Sequence, residues 1–130
     1  MIQRALPLVA ALLLTSCNGG TVDRHDLTKD AGTIDSIACE GALVADGVAR
    51  GRTTAFYARE QGEELRIQTS NLAHALAVRK TIAGLERRVH EKSKEAAALA
   101  RVLQRLHDHP SDRTVGADVE RLLEHAGNCP

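Results

Sequence analysis

The sequence predicts an all-α fold, a small up-down bundle of about four helices of unequal length. Apolar residues recur every three or four positions along most of the chain after residue 33, which is the period of one face of a helix. Phe56 and Tyr57 are the only aromatic residues, so the core must be built from leucine, valine, isoleucine and alanine. Turn residues at positions 49–54 and 109–114 divide the periodic region into segments short enough to pack side by side.

The first helix is predicted to begin near residue 33, with Thr33 as its N-cap. Its apolar stripe has 3-4-3-4 spacing and consists of Ile34, Ile37, Gly41, Val44 and Val48. Gly41 and Gly47 weaken this helix by roughly 1 kcal/mol each relative to alanine, unless a neighbouring element packs closely over them. Residues 17–32 are mostly polar and show no period, so we expect a flexible tether there and a helical domain over residues 33–130.

The middle of the chain carries two apolar registers. Gly51 ends the first helix and Thr53 is the expected cap of the next. The first register consists of Ala55, Ala58, Gly62, Leu65, Thr69, Leu72 and Leu76. The second consists of Val78, Ile82, Leu85, Val89, Lys92, Ala96, Leu99, Leu103 and Leu106. The change of register predicts a turn near residues 74–81, although neither glycine nor proline occurs there; one kinked helix over residues 53–108 is the alternative.

The last helix is predicted to be short. Pro110 excludes helix at His109, and the residues around it favour a turn. Thr114 is the expected cap, and Gly127 is the expected stop. The residues expected to face inward are Val115, Val119, Leu122 and Ala126.

The N-terminal residues have the pattern of an export signal. Arg4 precedes an apolar run from Ala5 to Thr15, which has the length of a signal-peptide core and is shorter than the ~20 residues that a membrane span needs. The run ends in Leu14-Thr15-Ser16-Cys17, which resembles the lipobox of bacterial lipoproteins. The resemblance covers residues 1–17 only. An ordinary cleaved signal and an uncleaved anchor are the alternatives.

The resemblance implies that residues 1–16 are removed as a signal peptide and that Cys17 is acylated, so the first expected partner is membrane lipid. The expected location is the exported side of the cell membrane or of an outer membrane. Asn18 favours the outer membrane in a host with two membranes, because aspartate at that position retains lipoproteins of this class in the inner membrane.

Acylation of Cys17 leaves two cysteines, Cys39 and Cys129, in an oxidising compartment, so we expect them to pair. Free thiols or an intermolecular bond are the alternatives. The bond favours two helices over one in the middle of the chain. A straight helix over residues 53–108 would be about 84 Å long and would hold the two cysteines apart.

Composition and motifs argue against two classes of function. The chain has 17 basic and 17 acidic residues and almost no aromatic residues, so no basic surface with stacking side chains is expected for nucleic acid. No nucleophile elbow, glycine-rich phosphate loop or paired-histidine zinc motif occurs. We therefore expect neither an enzyme nor a bound cofactor.

Two sets of residues remain as candidate sites. Arg50, Arg52 and Tyr57 are the candidate partner-binding surface, since tyrosine and arginine are enriched in interface hot spots. The alternative is structural: Phe56 fills the end of the bundle and Tyr57 covers its edge with its hydroxyl in water. His107 and His109 are the nearest approach to a metal pair, but we expect them at this helix end because a partial positive charge suits the helix dipole there, and a metal site is the weaker alternative. The function that we expect is a membrane-anchored docking module for an envelope protein; a small-ligand- or metal-binding bundle is the alternative.

Overall fold

The computed structural model describes residues 20–130, and in this range the chain forms an up-down bundle of four helices. They are α1 (Arg24–Ala49), α2 (Ala55–Val78), α3 (Glu86–Asp108) and α4 (Arg113–Gly127). Residues 20–130 contain no β-strand, only an isolated parallel bridge between Val22 and Thr81. The predicted all-α fold with helices of unequal length is confirmed.

The helices pack as two main pairs around a shared aliphatic core. The most extensive contacts are those of α2 with α3 and of α1 with α4, and α2 and α4 lie on a diagonal of the bundle. The main core contains the fully buried side chains Leu65, Leu103, Leu106, Val119 and Leu123. A second, smaller cluster lies where α2 turns into α3; it consists of Val22, Leu27, Leu76, Leu85 and Val89.

A disulfide bond joins Cys39, in the middle of α1, to Cys129, just after α4, with their Cα atoms 5.4 Å apart. The predicted pairing is thereby confirmed. Because Gly127 lies against Asp35 and Cys39 while Gly116 lies against Ala49, α4 runs antiparallel to the second half of α1. The first half of α1 extends beyond α4 toward the α2–α3 turn.

The start of α1 differs from the prediction. The helix begins at Arg24 rather than near residue 33, so most of the segment expected to be a tether is helical. Asp23 is the N-cap: its carboxylate accepts a hydrogen bond from the Asp26 amide at 2.9 Å, and the Asp26 carboxylate accepts one from the Asp23 amide at 3.3 Å. This reciprocal capping box offsets the weak apolar periodicity of the first turns.

The turn between α2 and α3 exists but lies later than predicted. α2 continues to Val78 and α3 begins at Glu86, so Val78 and Ile82 are 64% and 36% exposed instead of belonging to the α3 stripe. Gly84, with φ of 91°, allows the chain to reverse just before the buried Leu85.

The caps of α2 and α4 and the phase of α4 also differ. Thr54 caps α2 in place of Thr53, and Asp112 caps α4 in place of Thr114. Leu123 is buried in α4, whereas Leu122 is 41% exposed and Ala126 is exposed as well. Both leucines satisfy a 3-4 spacing from Val119, so periodicity did not separate them.

Candidate functional surfaces

The three residues of the predicted partner-binding surface lie at the end of the bundle where α1 passes into α2. Arg50 is the C-cap of α1, Arg52 is exposed in the connecting loop, and Tyr57 is 50% exposed in the first turn of α2. The Thr54 hydroxyl accepts a hydrogen bond from the Tyr57 amide at 3.1 Å and so fixes where α2 begins. The fold thus brings the three residues to the same end.

Exposed apolar side chains lie near these three residues. Leu43 is 75% exposed and Phe56 is 71% exposed, values that are high for large apolar residues. Leu43 and Tyr57 line a shallow depression of 200 Å³ between α1 and α2. We refer to Leu43, Phe56 and Tyr57 as the distal patch. Leu43 was not predicted from the sequence, and the signal that could have found it is a large aliphatic residue one position away from the buried Val44.

The charged groups near the distal patch are held in place by one another. Arg50 donates a hydrogen bond to the Asp46 carboxylate, and this contact holds the pKa of Asp46 below its usual range. Burial, and then the negative charge of Asp46, raise the pKa of Glu120 on α4. Both arginines are exposed, and the Arg50 side chain is paired with Asp46 of the same helix.

The two histidines of the metal hypothesis lie at the end of α3. His107 Nδ1 is 3.1 Å from Asp108 Oδ1, and His109 is the C-cap of the helix. Hydrogen bonds from Gln104 and then His107 lower the pKa of Asp108. In residues 20–130, no three His, Cys, Asp or Glu side chains lie close enough together to hold a metal ion. The structure supplies no third ligand for the pair in this range.

A groove with a volume of 610 Å³ lies between α1, α3 and α4. Its apolar lining includes Ile34, Leu99 and Leu122. Lys92 lies at its edge and donates a hydrogen bond to Glu95 at 2.8 Å. The second half of α4 forms one wall of the groove, through Leu122 and Ala126.

Residue Val22 fixes the start of the described chain to the opposite end of the bundle. Its amide donates to the Lys80 carbonyl at 2.7 Å, and its carbonyl accepts from the Ile82 amide at 3.1 Å. Its side chain is fully buried in the same cluster as Leu27 and Leu85. The signal for this contact was present in the sequence: an apolar residue before the N-cap and another at the fourth helical position form a hydrophobic staple.

The predicted acylation site, Cys17, and the predicted signal peptide, residues 1–16, lie outside the described residues. None of the helices in residues 20–130 combines the length and the apolarity that crossing a bilayer requires. A comparison of the chain with models of known families, with curated proteins and with solved structures finds no match.

Proposed function

We propose that the chain is a lipid-anchored docking module of the cell envelope, held to the membrane through acylated Cys17 and presenting a folded helical bundle to a protein partner. The observation that carries the proposal is the Cys39–Cys129 disulfide. Structural disulfides persist in oxidising compartments, so the bond agrees with export by a signal at residues 1–16. It also leaves Cys17 as the one remaining cysteine of the chain.

The distal patch supports docking as the activity. Leu43 follows Arg24 by nineteen positions in α1, so it lies roughly 29 Å along the helix from the end that is closest to Cys17 in sequence. An anchored bundle can therefore present Leu43, Phe56 and Tyr57 away from its attachment. Adjacent aromatic and arginine side chains are the kind of group that dominates protein interfaces.

Labelling with palmitate tests the anchor. We expect cells that express the natural chain to incorporate labelled palmitate into it and to retain it in the membrane fraction. The Cys17→Ser variant should take up no label and accumulate as the uncleaved precursor. A variant that is processed and located like the natural protein would contradict the anchor.

Substitutions in the distal patch test docking. A photoreactive amino acid at position 57 should cross-link the anchored protein to one envelope protein, and Leu43→Ala should reduce that product severalfold. Ile67→Ala is the matched control, because Ile67 is a 40% exposed apolar residue of α2 outside the patch. Equal loss of the product in both alanine variants, or a product that Leu43→Ala leaves unchanged, would contradict docking through this surface.

A small-ligand-binding bundle is the second candidate, and the groove of 610 Å³ between α1, α3 and α4 is the observation that favours it. Intact-mass analysis of the natively purified protein separates the two candidates. A small molecule that is retained by the natural protein and lost on Ala98→Trp substitution, which places a bulky side chain at an exposed position of the groove lining, would favour ligand binding. A co-purified protein that depends on Leu43 would favour docking.

A further inference from the structure

We propose that the end of the bundle around Val22 lies on the surface of a membrane that contains anionic lipid, so that the bundle is oriented by this contact as well as by the acyl chains. We define the proximal end as residues 20–26 and 78–88. The inference deepens the proposed function and rests on it where it uses acylation of Cys17. Three observations carry it: the short chain that leads to Cys17, the charge of the proximal end and its exposed apolar residues.

The length of chain before Val22 limits the distance between the bundle and the membrane. Cys17 precedes Val22 by five residues, which span at most about 18 Å when fully extended. Val22 itself cannot move away from the bundle without losing its two backbone hydrogen bonds to the α2–α3 turn and its buried contacts. An acylated Cys17 therefore brings the proximal end, and no other end of the bundle, close to the lipid headgroups.

The charges of the proximal end suit an anionic surface. This region contains five basic and three acidic residues: Arg24, Arg79, Lys80, Arg87 and Arg88, against Asp23, Asp26 and Glu86. Each of the acidic side chains accepts a hydrogen bond from a backbone amide at the start of a helix or in the turn before it. Lys80, Arg87 and Arg88 are exposed. Arg87 lies 3.7 Å from Glu91, and Arg79 lies 3.8 Å from Asp26.

Exposed apolar residues lie among these cations. Val78 is 64% exposed and Ile82 is 36% exposed, at the end of α2 and in the turn that follows it. The Ile82 amide is held by the Val22 carbonyl, so Ile82 is fixed beside the residue that leads to Cys17. Basic side chains around a small apolar tip are typical of surfaces that bind the membrane interface, where cations meet anionic headgroups and apolar groups enter the boundary layer.

Single tryptophans can report the orientation because the natural chain contains none. Ile82→Trp and Phe56→Trp place the reporter at the proximal end and in the distal patch. Both acylated proteins are reconstituted into vesicles of phosphatidylcholine, alone or mixed with phosphatidylglycerol. We expect Ile82→Trp to show a blue-shifted emission that increases with phosphatidylglycerol and is quenched by bromine-labelled acyl chains. Phe56→Trp should show neither effect, and equal quenching of the two variants would overturn the inference.

A second experiment separates this contact from the anchor. The chain of residues 17–130, which contains the whole described bundle, is prepared with Cys17→Ser and with its disulfide formed. We expect it to co-sediment with phosphatidylglycerol vesicles in a salt-sensitive way. Lys80→Glu combined with Arg88→Glu should weaken this binding about tenfold or more. Arg59→Glu combined with Arg101→Glu is the matched control, because these exposed arginines lie in α2 and α3 outside the proximal end.

The two experiments distinguish failure of the inference from failure of the proposed function. If palmitate does not label Cys17 but the unacylated chain binds anionic vesicles through Lys80 and Arg88, the anchor is wrong and the membrane contact stands. If Cys17 is acylated but Ile82→Trp stays in water, the membrane contact is wrong and the anchor stands. Circular dichroism that matches the natural protein ensures that each variant is folded.

Discussion

The α1–α4 pair and the α2–α3 pair are held together by different means. α2 and α3 are consecutive in sequence and form a long hairpin, whose stripes of leucine and alanine meet along most of both helices. α4 is the shortest helix, with 15 residues, and its partner α1 is the element furthest from it along the chain. The comparison shows how a short terminal helix stays packed on the bundle although it has little surface to bury there.

Close approach of the backbones is the first device of the α1–α4 pair. A Cβ atom on Gly116 would lie 2.7 Å from the Ala49 amide nitrogen, and one on Gly127 would lie 2.9 Å from the Asp35 carbonyl oxygen. The corresponding contact in the hairpin is looser, because a Cβ on Gly62 would be 3.2 Å from the His107 amide nitrogen. The disulfide at Cys39 is the second device, and the hairpin has no equivalent.

Removal of the disulfide should have the largest effect. The bond joins residues 90 positions apart, and on the chain-entropy model its loss costs about 4–5 kcal/mol. We expect the Cys39→Ala, Cys129→Ala double variant to lose stability in urea unfolding by an amount in that range or somewhat below it. Hydrogen exchange should show α4 opening while amides in α2 and α3 keep more of their protection.

The natural protein after reduction and alkylation is the control for this prediction, because it loses the bond without changing the core side chains. The usual error of a free energy of unfolding from urea is about 1 kcal/mol. A double variant whose free energy of unfolding lies within that error of the oxidised natural protein would show that packing alone holds α4. Uniform loss of protection in all four helices would show that the two pairs do not differ.

Adding a side chain at the close contact of Gly116 should have the next largest effect on stability. Gly116→Ala forces apart the backbones of α1 and α4, and overpacking of this kind costs about 1–3 kcal/mol. Gly32→Ala is the matched control, because Gly32 lies within α1 and a Cβ there meets nothing within 4 Å. It should raise stability by up to about 1 kcal/mol through helix propensity. Thermal unfolding measures both, and a Gly116→Ala variant at least as stable as the natural protein would contradict the close approach.

Periodicity in the sequence predicted the core positions of the first three helices well. All five stripe residues predicted for the first helix are buried, and Gly41, which seemed to weaken the helix, is covered by Leu103 and Leu123. The disulfide was predictable because the number of cysteines, the predicted export signal and the length of a single straight helix all pointed to one pairing. These features depend on spacing along the chain, which a sequence displays directly.

The sequence patterns did not predict where a side chain caps a helix or which exposed side chains lie together on the surface. The start of α1 rests on a capping box and a staple around Val22 and Asp23, which do not show as apolar periodicity. The choice between Leu122 and Leu123 depends on the rotation of α4 against α1, which is set by the contacts of Gly116 and Gly127. Of the candidate site, the sequence predicted Tyr57 and its arginines, but Leu43 became visible only when α2 was placed beside α1.

One hydrogen bond between α2 and α3 should contribute less to stability than the disulfide or the close glycine contacts between α1 and α4. Ser93 Oγ donates to the Ala73 carbonyl at 2.8 Å and ties the two helices together. Ser93→Ala should lower stability by about 1 kcal/mol, the usual net contribution of such a bond. Ser36→Ala, at an exposed position in α1, is the control and should leave urea unfolding nearly unchanged. A Ser93→Ala variant as stable as the control would mean that the bond is replaced by water.

The smallest expected effects are changes in how stability depends on pH. They differ between the contact of α4 with α3 and its contact with α1. Toward α3, Arg105 lies 2.7 Å from the Asp118 carboxylate, and its hydrogen bond is the main cause that lowers the pKa of Asp118. A lowered pKa contributes stability above the unfolded value of about 3.9, and this contribution is lost as pH falls through the folded pKa. Asp118→Asn should therefore make the loss of stability in acid shallower.

The contact of α4 with α1 is expected to change stability with pH in the opposite direction. Burial raises the pKa of Glu120, and the neighbouring Asp46 raises it further. A raised pKa contributes stability below the unfolded value of about 4.3, and this contribution is lost as pH rises through the folded pKa. Glu120→Gln should remove that loss, so urea midpoints measured across the acid range should change in opposite directions with pH in the two variants, relative to the natural protein. Parallel changes in the two variants would contradict the opposite electrostatic contacts that α4 makes with α3 and with α1.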